Sequence, residues 1–138
     1  MVLTRRVAAA QATINAFLDK TFSWGEYDCA RLAGYALKEL GRDDPLIPFG
    51  SYSTELGAVR ALKKQGRANL IEAIEALGLE RIAPARALPA DIVAMPADDD
   101  RWVALGVAIG DGRVLAFSPE GQCTWGSLKA ATAAWRAI

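Results

Sequence analysis

The sequence contains no histidine. That absence removes the side chain that most often acts as a general base near neutral pH and most often ligates a metal. Cysteine is nearly as scarce. Cys29 and Cys123 stand far apart at no metal-ligand spacing, so the usual nitrogen and sulfur ligands of a zinc site cannot be gathered from this chain alone. No cofactor is called for by any motif, and a disulfide is not expected in a reducing compartment. An excess of charge is also missing: Lys plus Arg is 16 and Asp plus Glu is 16. No overall field therefore draws the protein to nucleic acid or to an anionic membrane. No apolar stretch approaches the roughly 20 residues that span a bilayer. Residues Met1 to Val7 lead into Ala, Gln, Thr and Asn instead of an unbroken apolar core, so a secretory signal is not expected and folding in a cytoplasm is.

What is present is ordinary for a folded protein. The 138 residues are 52% hydrophobic and 23% charged, which fits a single domain over residues 1–138 that buries about two-thirds of its unfolded surface. No internal repeat, low-complexity tract or linker interrupts it.

The first half has helical periodicity. Thr4 is placed to cap a helix reaching about Lys20, with Val7, Ala10, Ile14, Phe17 and Leu18 inward. The clearest helix covers residues 28–40, where Cys29, Leu32, Ala33, Ala36, Leu37 and Leu40 form one stripe and Gly41 stands as the stop. After a loop through Asp43-Asp44-Pro45 and Pro48-Phe49-Gly50, Ser53 is expected to cap a helix to about Gln65 with Leu56, Val59 and Leu62 inward and Gly66 beyond. Asn69 and Glu72 have capping-box spacing and open a short helix that ends at Gly78.

From Asp91 the pattern becomes that of strands. Asp91 to Met95, Trp102 to Ile109, Val114 to Phe117 and Cys123 to Trp125 are short apolar runs separated by turns at Gly110-Asp111-Gly112 and Pro119-Glu120-Gly121-Gln122. The run Ala134 to Ile138 is expected to add an edge strand. Helices followed by strands predict an α+β fold, with N-terminal helices packed on a C-terminal antiparallel meander sheet.

Chemistry concentrates at Trp24-Gly25-Glu26-Tyr27-Asp28-Cys29, where a thiol enters the first turn of a helix. Free backbone N–H groups and the helix dipole stabilise a thiolate there, whereas Asp28 as N-cap opposes it. A buried cysteine packing at the head of the apolar stripe accounts for the same residue equally simply. Trp24, Trp102, Trp125 and Trp135 are read as core or interface packing. Asp98-Asp99-Asp100 lacks the alternate spacing of a calcium loop and is read as solvated.

The order aromatic-Trp24-Gly25, Asp28-Cys29 opening a helix, then Pro89-x-Asp91-Ile92-Val93, then Gly106-Val107-x-Ile109-Gly110-Asp111-Gly112 resembles the NlpC-type cysteine peptidases of the papain-like superfamily. It is similar in particular to the NlpC-like domains encoded among the tail-assembly genes of tailed phages and prophages, a likeness extending through Gly50 to Glu55 and Ala134-Trp135-Arg136. The resemblance implies a papain-like fold with Cys29 at the nucleophile position and Asp91 at the start of the core sheet, where Ala90 replaces the family's glycine. It places Ala104 where the catalytic histidine would stand and Ala116 at the third, orienting position.

A carboxylate such as Glu26, Asp91 or Asp111 is a poor substitute for that histidine. Its ordinary pKa lies roughly 4 units below that of a thiol, so proton transfer is uphill by about 6 kcal/mol. The function implied is a non-catalytic structural component of a phage tail tip or baseplate, whose partners are other tail proteins and whose final location is the virion. The alternative is a cysteine peptidase or amidase acting on peptidoglycan during infection, with Cys29 as nucleophile and a base supplied unconventionally or by a partner. A third reading is a host-encoded domain that binds a peptide in the old cleft.

Overall fold

The computed structural model describes residues 2–42, 51–96 and 104–138. The loop expected at Asp43 to Gly50, the Asp98-Asp99-Asp100 run and Trp102 lie outside the described residues. Helix α1 is Val2–Phe17, α2 is Cys29–Glu39, α3 is Glu55–Lys64 and α4 is Leu70–Glu75. Strands follow as β1 Glu80–Ile82, β2 Ile92–Met95, β3 Ala104–Gly110, β4 Arg113–Phe117, β5 Cys123–Ser127 and β6 Ala133–Arg136. The expected succession of helices and then an antiparallel sheet is therefore what forms.

Helix α2 follows directly from its composition. Leu32, Ala33, Ala36 and Leu37 are buried along one face, and each fully buried leucine contributes about 2 kcal/mol of apolar burial. The helix ends where Gly41 takes φ +82, a conformation that costs glycine little. Gly41 N–H then donates to Lys38 O at 2.9 Å and Arg42 N–H to Leu37 O at 3.0 Å, so the last carbonyls are satisfied. Asn69 caps α4 as its spacing predicts, its side chain accepting from Glu72 N–H at 3.0 Å.

Two caps fall elsewhere than expected. Helix α1 already begins at Val2, so Thr4 lies inside it, and α3 is capped by Thr54 and not Ser53, with Thr54 Oγ1 accepting from Gly57 N–H at 3.0 Å. The inward stripes shift accordingly. Val7 and Leu56 are exposed, while Arg6, Ala9, Thr13, Ala58 and Leu62 are buried.

The sheet has strand order β1-β6-β2-β3-β4-β5, with every pairing antiparallel. The meander covers β2 to β5 only. Strand β6 returns to the far side of β2, where Ile92 pairs with Trp135 and Val93 with Ala134, and is itself flanked by β1. It is an interior strand and not the expected edge, because β1, a three-residue strand of Glu80, Arg81 and Ile82 without an apolar run, pairs along its open side. Alternation along the strands sends Ile92, Ala94, Leu105, Val107 and Leu115 into the cluster shared with the helices. Val93, Ala108, Val114 and Ala134 point to the opposite face, where Ala87, Leu128 and Ala131 cover them. Helices α1 and α2 lie against β3 on the first face.

A buried ion cluster fastens these layers. Arg6, 1% exposed, reaches from α1 to Asp91, 0% exposed, at 2.7 Å. Asp91 also accepts from Arg136 at 2.9 Å, from Ala137 N–H at 2.8 Å and from Leu88 N–H at 2.9 Å. Arg6 donates in addition to the backbone oxygens of Pro89 and Ile138. Helix α1, the entry to β2 and the exit of β6 thus share one carboxylate.

Candidate functional site

The segment leading into α2 is held from both sides. Asp28 caps the helix, its Oδ1 accepting from Arg31 N–H at 2.8 Å. Its Oδ2 accepts from Gly25 N–H at 2.9 Å and from the Tyr52 hydroxyl at 2.7 Å. Gly25 adopts φ +85, and a β-carbon there would collide with the carbonyl of Tyr52. Only glycine permits this approach of the two loops. Aromatic edges complete the surroundings: the Phe22 ring meets Trp24 at 4.8 Å and Phe117 at 5.4 Å between centroids. The Arg31 guanidinium lies 5.0 Å from the centre of the Tyr52 ring. Burial, the Asp28 carboxylate and the hydrogen bond to it hold the Tyr52 hydroxyl well above the ordinary tyrosine range.

Cys29 is the first residue of α2 and is 4% exposed. It belongs to the core cluster that also contains Leu105, Val107, Leu115 and Cys123. That other thiol, Cys123, is buried at the head of β5 and is pushed up to about 12 by burial and then by Asp19.

Ala104 and Ala116 are near each other but on the other side of the sheet. Ala104 pairs with Met95, and Gly106 beside it pairs with Val93. A β-carbon on Gly106 would meet the Ala116 β-carbon at 3.3 Å and the Val93 side chain at 3.3 Å. These residues share the face of Val93 and Val114, not the face on which Leu105 and Val107 pack with Cys29. Thus the two alanine positions come together, along one wall of a shallow depression of about 250 Å³, while Cys29 is separated from them by the sheet.

Asp91 is consumed by Arg6, Arg136 and two backbone N–H groups. Asp111 sits with φ 54 in the β3–β4 turn, and Glu26 is exposed in the loop before α2. The carboxylate next to Cys29 is Asp28, whose acceptors are engaged by Gly25, Arg31 and Tyr52. Among the described residues no group of His, Cys, Asp or Glu is arranged to hold a metal ion, and no helix is long and apolar enough to cross a membrane.

Sequence reasoning missed Tyr52 and Arg6 as partners of these carboxylates. Arg6 had a visible signal, because Arg6, Ala9, Ala10, Thr13 and Phe17 have the helical spacing of the stripe that is buried. Tyr52 had none, since nothing in the chain pairs it with a residue so far upstream. Of the tryptophans, Trp135 is core and Trp125 is 41% exposed.

Residues 3–137 match the family described as Domain of unknown function (DUF6950). No curated protein matches the chain.

Proposed function

We propose that this chain, which belongs to the DUF6950 family, is a non-catalytic assembly domain on an NlpC-like, papain-like scaffold, serving in the tail tip or baseplate of a tailed phage. The observation that carries the non-catalytic half is the surroundings of Cys29. The thiol is 4% exposed, its neighbouring carboxylate already accepts three hydrogen bonds, and the chain has no imidazole to take its proton. Catalysis by a thiol needs a base within hydrogen-bond reach and an orienting group behind it. On β3 and β4 the side chains that share the core cluster with Cys29 are Leu105, Val107 and Leu115.

The tail assignment is supported by the order of motifs from Trp24-Gly25 to Ala134-Trp135-Arg136, and a hydrolase scaffold retained for binding is compatible with the separability of fold and function. Incubating the purified chain and its Cys29→Ala variant with peptidoglycan peptides tests the first half. No release above buffer is expected from either, and release that disappears in Cys29→Ala establishes the hydrolase alternative. Mass spectrometry of purified tail particles tests the second half, with the chain expected at a fixed ratio to other tail proteins. Its absence from the particles defeats the tail-component reading.

A further inference from the structure

The two edges of the sheet are unlike. At one edge β1 is three residues long, carries Glu80 and Arg81 and leads to Pro84, features that discourage a further strand. At the other edge β5 has neither charge nor proline. Its outward-facing backbone is already used once within the chain. Cys123 N–H donates to Lys20 O at 2.9 Å, and Cys123 O accepts from Asp19 N–H at 2.9 Å. Backbone groups alternate in direction along a strand, so Trp125 and Ser127 face outward as Cys123 does. Among the described residues no backbone hydrogen bond from outside the strand pairings meets the N–H or C=O of Trp125.

Beside this open rung lies the depression walled by Met95, Ala104, Ala116, Thr124 and Gly126, on the sheet face away from the helices. On the other face of β5 the Arg113 guanidinium lies 5.1 Å from the centre of the Trp125 ring. Arg113 is exposed and joins no ion pair among the described residues. An added strand would present alternate side chains to these two features.

We infer that the β5 edge is a docking site for an extended segment of a partner polypeptide, which pairs with the Trp125 backbone, seats an aliphatic side chain in the depression and sets an acidic side chain against Arg113. Main-chain bonds supply the affinity and the alternate side chains the specificity. A second copy fits less well: its own β5 offers only Thr124 and Gly126, not an aliphatic side chain, to the depression face, and carries no acidic residue to set against Arg113. The inference gives the assembly reading its docking surface and rests on that reading for the existence of a partner.

A phage-displayed library of random octapeptides panned against the purified chain tests it. Enriched sequences are expected to lack proline and to carry an acid next to an aliphatic residue. Their affinity should fall at least tenfold in Trp125→Pro, which removes an N–H that β4 does not use, and in Ala116→Leu, which fills the depression. Arg113→Glu should abolish the preference for an acid, and circular dichroism checks that each variant folds. Failure to enrich any sequence, or binders indifferent to Ala116→Leu and Arg113→Glu, overturns the inference. So does a dimer of the chain that dissociates on Trp125→Pro, since the occupant is then a second copy. Binding is expected to survive Cys29→Ala. Cys29-dependent hydrolysis would defeat the assembly reading while leaving this edge to stand or fall on its binding data.

Discussion

Tyr52 donates its hydroxyl proton to Asp28 across 2.7 Å, joining the segment before α3 to the carboxylate that caps α2. The bond is short, the acceptor is buried, and the same oxygen also holds Gly25 N–H at 2.9 Å. Cys29 is therefore fixed by its neighbour's cap and by a tyrosine brought in from a different loop.

Removing that hydroxyl should be felt in stability. A hydrogen bond to a charged acceptor contributes about 1.5–3 kcal/mol, and losing it leaves part of a buried carboxylate unsatisfied. Tyr52→Phe is expected to lower the unfolding free energy by about 2 kcal/mol in urea titrations. A loss below about 0.5 kcal/mol would mean that water replaces the hydroxyl and that Asp28 is less enclosed than the geometry indicates.

Asp91 should prove structural. Its carboxylate balances Arg6 and Arg136 and accepts two backbone N–H groups where three elements meet. Asp91→Ala leaves the Arg6 guanidinium buried without its counter-charge, a change that costs about 3–5 kcal/mol. Because Arg6 and Asp91 act as one unit, Arg6→Ala and Asp91→Ala together should destabilise by much less than the sum of the single changes, as a double-mutant cycle by thermal or urea unfolding would record.

The helices, their glycine stops and the strand runs of β2 to β5 were legible because each is encoded locally, by periodicity of apolar residues and by turn formers. The position of β6 was not. Ala134 to Ile138 looks like any terminal strand, and its place between β1 and β2 depends on Glu80-Arg81-Ile82, a segment with no apolar run to mark it. At the site, Asp28 and Cys29 could be placed at the start of α2 because capping is local. The sheet face of Ala104 and Ala116 could not, since a shift of one residue in strand register reverses every side chain, and nothing in Ala104-Leu105-Gly106-Val107 alone says which parity meets the helices. Likewise an arginine at position 6 reads as solvated until Asp91, far along the chain, is seen to receive it.

Alkaline conditions should weaken the fold before mild acid does. The Cys123 thiol ionises near 9.0 in the unfolded chain and is pushed up to about 12 in the folded one, by burial first and by Asp19 second. Between those values the unfolded state has released a proton that the folded state retains, so stability falls as pH rises; below the unfolded value the contribution is complete. Tyr52, raised mainly by burial and next by Asp28, acts in the same direction above the ordinary tyrosine range. With no histidine to titrate, the unfolding free energy from urea titrations is expected to stay level between about pH 6 and 8 and then, as pH passes the unfolded thiol value, to decline by of the order of 1 kcal/mol per pH unit. Cys123→Ala should flatten the decline between about pH 9 and 10, where the thiol titrates before tyrosine does. An undiminished slope in that variant would show that other groups govern the alkaline limit.

Placing a histidine on β3 distinguishes its two faces. Ala104 stands at the position that resemblance assigns to the lost base, yet its side chain leaves the sheet on the Met95 and Val93 face, whereas Leu105, 1% exposed, packs in the cluster that holds Cys29. An imidazole can lower a thiol's pKa only as a cation within a few ångströms of it. Ala104→His is therefore expected to leave the rate and pH dependence of Cys29 alkylation by iodoacetamide unchanged, and to confer no hydrolysis of peptidoglycan peptides. Leu105→His should cost about 2–4 kcal/mol through lost apolar burial and a polar group in the core, but it is the substitution that brings an imidazole to the thiol's side. Faster alkylation near neutral pH should appear in that variant alone. If Ala104→His accelerates it instead, β3 presents the opposite parity to α2, and the resemblance's placing of a base at position 104 gains support.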